Sequence, residues 1–223
     1  MGMDYIKEMV KPWVIKEVKD MCEGTYILRF SRNGMQFKPG QHLVAGLHES
    51  ANSREYSIYS GINDDYLEIL VREVEEGLVS KRLRKLAKGD IIDISGPYGF
   101  FMYNSQPPSF KKLVFIASGT GIAPFHSFAR SFPDADYTLI HGIRTIKEAY
   151  NRDHYAPGRY ITCTSRDDSG DFSGRVTAYL DTIAFDRDVL IYLCGNSNMI
   201  LDSMDILEKK GYSQSQMYTE VYF

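Results

Sequence analysis

The second half of the chain alternates short apolar runs with helical patterns, and this alternation limits the folds open to it. The first run, residues 113–117, contains only apolar side chains, which is typical of a strand that is buried on both faces. Three further apolar strands are predicted, at residues 137–142, 159–164 and 188–194. Helical patterns begin near Ile122, Thr145, Val176 and Asn198. Strands that alternate with helices predict a parallel, doubly wound sheet.

The first half of the chain consists of shorter segments in which apolar and polar residues alternate, with turn residues between them. This pattern predicts strands at residues 25–30, 42–47, 54–59, 66–74 and 90–95. The dipeptide Asn33-Gly34 predicts a hairpin turn. A single helix is predicted at residues 80–87, with Ser80 as its N-cap. Several antiparallel strands with only one helix indicate a small barrel.

The two patterns meet near Pro107-Pro108, where the rhythm of the sequence changes. We therefore predict two domains, an antiparallel β-barrel over residues 1–105 and an α/β domain with a doubly wound parallel sheet over residues 106–223. The 223 residues are enough for two modest domains, each with a buried core.

Composition makes several classes of partner unexpected. The formal net charge of −3 gives no clearly basic surface of the kind that nucleic acid requires. The three cysteines are far apart, which suits reduced thiols in the cytoplasm, and no Cys-x-x-Cys pair predicts a metal site. The longest uncharged run, residues 113–129, is interrupted by Ser, Gly, Thr and Pro, so no membrane span is expected. We expect a cytoplasmic monomer.

Two short motifs in the first half carry groups that bind phosphate. Arg54-Glu55-Tyr56-Ser57 offers a guanidinium for a pyrophosphate, an aromatic face and a hydroxyl. In a strand, Arg54 and Tyr56 share one face and Ser57 lies on the other, so a local bend would have to bring all three to one ligand. Gly77 and Ser80 mark a helix start, whose exposed amides favour an anion. An ordinary surface strand and a capped surface helix are the alternatives.

A glycine turn follows the first apolar strand of the second half. Gly119-Thr120-Gly121 lies between a predicted buried strand and a predicted helix, the context in which a glycine turn binds phosphate. It differs from the G-x-G-x-x-G fingerprint, because Pro124 stands in the first turn of the helix, where proline is tolerated. No Lys-Ser or Lys-Thr follows, so the turn is not of the Walker type.

Basic residues follow the next two strands, where a site specific for NAD usually has an acidic residue. The second strand runs into Arg144, and the third runs into Ser165-Arg166, with Arg175 nine residues beyond. Arginines at these places predict a site for a 2′-phosphate. The alternative is that they pair with the nearby aspartates, which are Asp167, Asp168 and Asp171.

The fourth strand of the second half ends at Cys194-Gly195, and Met199 follows in the next helix. A cysteine at the carboxyl end of a strand lies where ligands bind in open sheets. The alternative is a buried cysteine that contributes only to the core.

Taken together, these motifs resemble those of the ferredoxin–NADP reductase family, and the chain is most similar to its short bacterial members, the ferredoxin/flavodoxin–NADP reductases. Six motifs follow the order of the family: Arg-x-Tyr-Ser, Gly-x-x-Ser, Gly-Pro-x-Gly-x-Phe, Gly-Thr-Gly-x-x-Pro, Cys-Gly-x-x-x-Met and an aromatic tail. The resemblance covers nearly the whole chain. It implies a flavin-binding barrel and a pyridine-nucleotide domain, with FAD held between them.

The resemblance also assigns roles to residues. It implies contacts with FAD for Arg54, Tyr56, Ser57, Gly77, Ser80, Tyr222 and Phe223. Within that set, Ser57 would bond to the flavin N5, Tyr222 would lie on the flavin ring and Phe223 on the adenine. It implies contacts with NADP for Gly119, Thr120, Gly121, Pro124, Arg144, Ser165, Arg166, Arg175, Cys194, Gly195 and Met199. It implies catalytic roles for Ser57, Cys194, Glu220 and Tyr222, with Glu220 as a proton relay.

The activity that the resemblance implies is transfer of hydride from NADPH to FAD, followed by transfer of single electrons to ferredoxin or flavodoxin. Basic residues on the predicted helix would dock such an acidic carrier, or would form a plain solvated face. They are Lys81, Arg82, Arg84, Lys85 and Lys88.

Three other functions stay open at this point. Glu55 stands beside Arg54 and would weaken its hold on a pyrophosphate, which favours an NAD(P)H:flavin reductase that uses free flavin as a substrate. The second is an electron-transfer subunit of a larger oxidoreductase. The third is a nucleotide sensor that binds NADPH without turnover.

Overall fold

Six antiparallel strands form the N-terminal half of the chain in a computed structural model, which describes residues 11–102 and 112–222. The strands are β1 (Trp13–Cys22), β2 (Thr25–Ser31), β3 (His42–Leu47), β4 (Ser53–Ser57), β5 (Tyr66–Arg72) and β6 (Ile91–Tyr98). Their order in the sheet is β4-β3-β6-β1-β2-β5. A bridge between Ile58, which follows β4, and Ile69 in β5 joins the two edges of the sheet. The sheet therefore closes into the antiparallel barrel that the sequence predicts.

The sequence pattern does not predict β1, and the reason is the strand's composition. Only Ile15 is fully buried, while the other side chains are exposed or half-buried. Charged residues interrupt the alternation that marks a strand with one buried face. The strand forms because it pairs with β2 on one side and β6 on the other.

The turn at Asn33-Gly34 forms, with positive φ at both residues, but it does not join a hairpin. The strands before and after it, β2 and β3, are not neighbours in the sheet. The hairpin of β1 and β2 turns instead at Gly24, where φ is +69°. The prediction of a hairpin at Asn33-Gly34 is therefore wrong, because β1 and β5 already flank β2 on its two sides.

The helix of the barrel, α1 (Leu78–Leu83), begins before the predicted residue 80. Gly77 stands at its N-cap and Ser80 lies inside its first turn, so the prediction of Ser80 as the N-cap is wrong. The Ser80 hydroxyl accepts a hydrogen bond from the backbone N–H of Val74, at 3.1 Å. A Cβ at Gly77 would lie 2.9 Å from the Cβ of Val74, so this tight entry into the helix requires glycine.

The second half of the chain forms the predicted parallel sheet. Its strands are β7 (Lys112–Ser118), β8 (Tyr137–Ile143), β9 (Tyr160–Thr164), β10 (Phe172–Ser173), β11 (Val189–Asn196) and β12 (Met217–Tyr222). They lie in the order β10-β9-β8-β7-β11-β12, and every neighbouring pair is parallel. The helices are α2 (Ala123–Ser131), α3 (Val176–Thr182) and α4 (Ser197–Lys209). Within the described ranges, no helix is both long enough and apolar enough to span a bilayer.

The predicted helix near Thr145 is wrong. Between β8 and β9 the chain makes two short 3₁₀ turns, Ile146–Glu148 and Arg152–His154. Asn151 lies between them with a φ of +47°, a left-handed conformation that a continuous right-handed helix does not contain.

Helix α2 packs against the barrel and joins the two halves. The ring of His126 stacks on that of Tyr59 with centroids 3.7 Å apart, and its Nδ1 lies 2.7 Å from the Tyr59 carbonyl oxygen. Arg130 forms a salt bridge of 2.6 Å with Asp64 of the barrel. One cluster of buried side chains continues from Ile27 in the barrel into the parallel sheet. The two halves therefore share part of their core.

Candidate active site at the junction of the two sheets

Four side chains from both halves of the chain meet where β4 approaches β12. The hydroxyl of Ser57 donates a hydrogen bond to Oε2 of Glu220 at 3.0 Å. The thiol of Cys194 lies 3.9 Å from the same oxygen, because Cys194 and Glu220 are register partners in β11 and β12. Tyr222 is two residues further along β12. The structure thus brings together the set expected to be catalytic.

Burial controls the protonation of this cluster. It raises the pKa of Glu220 to about 7, against the opposing effect of the Ser57 hydrogen bond, and the nearby Glu55 carboxylate raises it further. Burial also raises the pKa of the Cys194 thiol well above its ordinary value, so the thiol stays protonated at neutral pH. The site therefore holds a carboxyl group that titrates near neutrality beside a neutral thiol.

The hydroxyl of Tyr222 is buried beside Ser57 and Cys194. It has no well-formed hydrogen bond within the part of the chain that the structure describes. Buried hydroxyls in proteins are nearly always bonded, so this one points to a polar ligand. The other aromatic residue of the predicted tail, Phe223, lies outside the described residues.

The Arg54-to-Ser57 motif occupies β4 without a bend. The pairing of β4 with β3 runs regularly to its end, so Arg54 and Tyr56 share one face and Ser57 turns toward Glu220. Arg54 is exposed, and its guanidinium donates to the adjacent Ser53 carbonyl at 2.7 Å. Tyr56 is half-buried, and burial raises the pKa of its hydroxyl to about 12. A ligand that meets all three residues must therefore pass around the end of the strand.

The predicted phosphate contacts at Gly77 and Ser80 have a local structural explanation. The Ser80 hydroxyl is bonded to Val74, and the Ser80 carbonyl accepts a 2.6 Å bond from the hydroxyl of Tyr26. Ser80 is itself buried. Contact of these two residues with a phosphate stays a prediction.

The glycine turn closes tightly on the end of β11. A Cβ at Gly121 would collide with the carbonyl of Cys194, and a Cβ at Gly195 would collide with the side chain of Ser118. Gly119 is different, because its φ is +54° and open space lies where a Cβ would be. Pro124 is buried in the first turn of α2, and Thr120 is half-buried. The turn thus packs inward through two glycines and leaves a third facing outward.

A cavity of about 230 Å³ lies beside this turn, at the carboxyl ends of β7, β8, β9 and β11. Three of the predicted residues, Ser165, Arg175 and Met199, line it. Sequence reasoning missed others that line it as well: Ser118, Asn196, Asn198 and Asp202. The position of Ser118 and Asn196 at strand ends was the signal that could have identified them. Open parallel sheets bind their ligands at this edge, where the chain order reverses between β7 and β11.

Two of the predicted arginines are available to a ligand. Arg166 and Arg175 are exposed, and neither forms an ion pair with another described residue. The neighbouring aspartates have other partners: Asp171 pairs with Arg152 at 2.8 Å, Asp168 accepts from Ser173, and Asp167 accepts from the amides of Ile146 and Ser169. Pairing with these aspartates therefore does not account for Arg166 and Arg175.

Arg144 is engaged elsewhere. Its Nε lies 2.6 Å from Oε1 of Glu148, and its backbone N–H donates to Oε2 of the same carboxylate at 3.2 Å. Glu148 is only 4% exposed, and the side chain of Arg72 in the barrel approaches it to 3.8 Å. Arg144 thus neutralises a buried carboxylate, whereas among the described residues Arg166 and Arg175 do not.

Comparison with known proteins gives two matching family models. The oxidoreductase FAD-binding domain matches residues 12–103, and the oxidoreductase NAD-binding domain matches residues 115–205. The electron transfer component of toluate 1,2-dioxygenase from Pseudomonas putida is 28% identical over 226 residues, which cover 93% of this chain and 66% of that protein. The ferredoxin–NADP reductase of Pseudomonas aeruginosa is 32% identical over 132 residues, 55% of this chain and 50% of that protein. The chain thus spans two thirds of these curated relatives or less.

Solved structures share the fold over nearly the whole chain. A ferredoxin–NADP⁺ reductase from Neisseria gonorrhoeae with bound FAD and NADP superposes with a TM-score of 0.79 at 24% identity, covering 96% of this chain and 98% of that chain. The cytochrome P450 reductase of Amycolatopsis superposes with a TM-score of 0.83 at 25% identity, covering 94% of this chain and 68% of that chain.

The fold, the site and the two family models define a two-domain oxidoreductase with one FAD-binding and one NAD-binding domain. The barrel corresponds to the first family model and the parallel sheet to the second. The chain belongs to the ferredoxin–NADP reductase-like family.

Proposed function

We propose that this protein is an NADPH-dependent flavoprotein reductase that passes electrons to a ferredoxin or a flavodoxin. The observation that carries the proposal is the 3.0 Å hydrogen bond between Ser57 and Glu220, which joins the barrel motif to the last strand of the parallel sheet. The names of the relatives support electron transfer, since one is a ferredoxin–NADP reductase and another an electron transfer component. We place the domain boundary near residue 105, between the two family models.

The residues at the junction fit FAD on two counts. The buried Tyr222 hydroxyl has no well-formed hydrogen bond among the described residues, and the exposed Arg54 guanidinium donates to the neighbouring Ser53 carbonyl. We propose that Arg54 holds the pyrophosphate with help from the Gly77–Ser80 turn. Tyr56, Ser57 and Tyr222 would contact the flavin. These residues would hold FAD, which would supply the means to exchange a hydride with the nicotinamide and single electrons with a carrier.

The carboxyl group of Glu220 would hold the proton that this chemistry exchanges. Its proton would reside on Oε1, because Oε2 accepts the hydrogen bond of Ser57. A pKa of about 7 suits a group that both takes up and releases a proton near neutrality. The Cys194 thiol would line the site as a neutral group, since burial keeps it protonated. Tyr222 would cover the site and exclude water from it.

We propose NADPH as the preferred coenzyme. The glycine turn 119–121 with Pro124, Cys194, Gly195 and Met199 would hold the nicotinamide side. Ser165, Arg166 and Arg175 would hold the 2′-phosphate, and two charged contacts of about 1.5–3 kcal/mol each would give roughly a hundredfold to ten-thousandfold preference over NADH. Arg144 is left out of this set, because its guanidinium is bonded to Glu148.

The surface around α1 is the proposed docking site for the carrier. Lys81, Arg82 and Lys85 are exposed there, whereas Arg84 is paired with Asp20 and Glu73. Two apolar side chains, Leu78 and Val74, lie among them and are more than half exposed. The exposed Glu75 and Glu76 stand between these two apolar residues in the chain, so the attraction for an acidic carrier would come from the basic residues of α1. The free cysteines at positions 22, 163 and 194 agree with a reducing, cytoplasmic location.

The proposal is tested by NADPH-driven, anaerobic reduction of ferredoxin or flavodoxin with the desalted protein, compared with reduction of added FMN. A yellow protein that reduces the carrier without added flavin supports the proposal. A colourless protein that is active only with added flavin is a flavin reductase instead, and a protein that binds NADPH but turns over neither is a sensor.

A second candidate rests on the similarity to the toluate dioxygenase component over 93% of this chain. In that case the protein is the reductase of a larger oxidoreductase. Electron delivery to an oxygenase component, with none to ferredoxin or flavodoxin, would identify it.

A further inference from the structure

A buried histidine lies directly behind the glycine turn. His141 in β8 is fully buried, next to Ala117 of β7. Its Nε2 lies 2.7 Å from the carbonyl oxygen of Gly119, and its Nδ1 lies 2.6 Å from the hydroxyl of Tyr160. A carbonyl oxygen only accepts hydrogen bonds, so Nε2 carries the proton and donates. Nδ1 then accepts from the Tyr160 hydroxyl, and the two neighbours together fix one tautomer.

This tautomer persists over the working range of pH. Burial lowers the pKa of His141 to about 4, although the bond to the Gly119 carbonyl opposes the shift. The ring is therefore neutral throughout the range in which the protein would act.

The bond fixes the direction of one peptide group in the turn. The peptide unit between Gly119 and Thr120 is planar and trans, so its N–H points opposite to its carbonyl. Because His141 holds the carbonyl on the inner side, the Thr120 N–H faces away from His141. The 3₁₀ turn Gly119–Ile122 leads directly into α2, and the first N–H groups of a helix lack partners within it. Gly119, with its φ of +54°, has no side chain to restrain this peptide group.

We propose that His141 is a positioning residue for the pyridine nucleotide, holding the Gly119–Thr120 peptide so that its N–H is presented to the bound coenzyme. The inference rests on the proposed function only for the identity of that ligand. The part of the inference that concerns the orientation of the turn rests on the contacts of His141 alone. Tyr160 supports the arrangement by holding the ring in place.

The test compares two variants of nearly equal size. His141→Gln keeps an N–H donor that reaches the Gly119 carbonyl, and His141→Met does not. The flavin-loaded proteins are titrated with NADP⁺ in a calorimeter. His141→Met should bind about tenfold more weakly than the wild type, which is the effect of losing one hydrogen bond, and His141→Gln should bind nearly as the wild type does. Amide exchange in the peptide covering residues 118–124, measured without nucleotide, should quicken in His141→Met only. Flavin retention should be equal in all three proteins.

The proposal would be overturned if both variants bound NADP⁺ and exchanged amide protons as the wild type does. An equal loss in both variants would also overturn it, because the changed packing would then explain the loss. Wild-type protein that does not bind NADP⁺ would refute the proposed coenzyme, and the exchange data would then decide the role of His141 by themselves. If neither variant folds, ¹⁵N NMR of the wild-type ring decides. It should show the Nε2–H tautomer, and an Nδ1–H tautomer would end the proposal.

Discussion

The Oγ atom of Ser57 lies 3.0 Å from Oε2 of Glu220, although 163 positions separate the two residues in the sequence. Ser57 ends β4 of the barrel, and Glu220 lies in β12 of the parallel sheet. The hydrogen bond thus couples the protonation of one carboxyl group to the contact between the two halves of the site.

Ionisation of Glu220 should destabilise the fold, because burial and the nearby Glu55 carboxylate disfavour the charged form more than the Ser57 hydrogen bond favours it. Its pKa of about 7 lies above the ordinary value of 4.5, so the bound proton stabilises the fold fully below pH 4.5, and this contribution is lost as the pH rises through 7. Ser57, Cys194, Tyr222 and Glu55 are the groups that face the carboxyl. We expect the melting temperature to fall by a few degrees between pH 6 and 8.5.

The matched variant is Glu220→Gln, which keeps an acceptor for Ser57 but cannot ionise. Its melting temperature, measured by scanning calorimetry over the same range, should lack this part of the decline. A decline as steep as that of the wild type would show that Glu220 does not titrate near neutrality.

Coenzyme preference should depend on Arg166 and Arg175. Replacing either arginine by alanine should weaken the binding of NADPH about tenfold or more and leave the binding of NADH unchanged, because only NADPH carries the 2′-phosphate. The ratio of kcat/KM values for the two coenzymes is the measurement. Arg152→Ala is the control, since Arg152 is also exposed but is bonded to Asp171. Equal losses for both coenzymes would show that the two arginines do not bind the 2′-phosphate.

Arg144 should behave differently from these two. Arg144→Met removes the guanidinium nearest to the buried Glu148 carboxylate and leaves the more distant Arg72 beside it. We expect a loss of about 1–3 kcal/mol in the free energy of unfolding, measured with urea. The double variant Arg144→Met, Glu148→Leu should recover much of it, because no charge is then left unpaired. Selective loss of NADPH binding at unchanged stability would instead place Arg144 in the phosphate site.

Removal of the Tyr222 ring should relax discrimination against NADH. The proposed cover over the flavin competes with the nicotinamide, so Tyr222→Ser should raise kcat/KM for NADH relative to NADPH severalfold. Tyr218→Ser on the same strand is the control, because Tyr218 stacks on Tyr192 with ring centroids 4.7 Å apart. If Tyr222→Ser leaves the ratio of the kcat/KM values for NADH and NADPH unchanged, the Tyr222 ring does not cover the flavin.

Charge reversal on α1 should affect only the protein carrier. Lys81→Glu, Arg82→Glu and Lys85→Glu should raise the KM for ferredoxin or flavodoxin severalfold at low ionic strength, and added salt should shrink the difference. Reduction of a small acceptor such as ferricyanide should not change. Lys209→Glu on α4 is the control. If none of the three reversals changes the KM for the carrier, the carrier docks on another surface.

The strands and the glycine turn of the second half could be predicted from the sequence because their causes are local. A strand buried on both faces is apolar throughout, and residues 113–117 show this directly. A turn that packs backbone against backbone requires glycine, as at Gly121 and Gly195. The motifs therefore predict which strand ends lie at the candidate site, and the roles of their residues stay a prediction.

Features that depend on distant partners could not be predicted in this way. The strand β1 is mostly exposed and is held by its two neighbours, so its own pattern is weak. The pairing of Arg144 with Glu148 required a 3₁₀ turn where a helix was predicted. The sequence does not distinguish His141 from other polar residues near strand ends, because its hydrogen bond with the Gly119 carbonyl exists only in the folded turn.

The position of β12 has a consequence for how a ligand enters. Among the strands of residues 11–102 and 112–222, it is the outermost of its sheet and pairs with β11. Glu220 and Tyr222 belong to its last register pairs, with Cys194 and Asn196. Fraying a strand end breaks few backbone bonds, and of the side chains packed against the shared core it would withdraw Tyr222. The rate of ligand exchange should then follow local opening at the end of β12, with no need for the two domains to move apart.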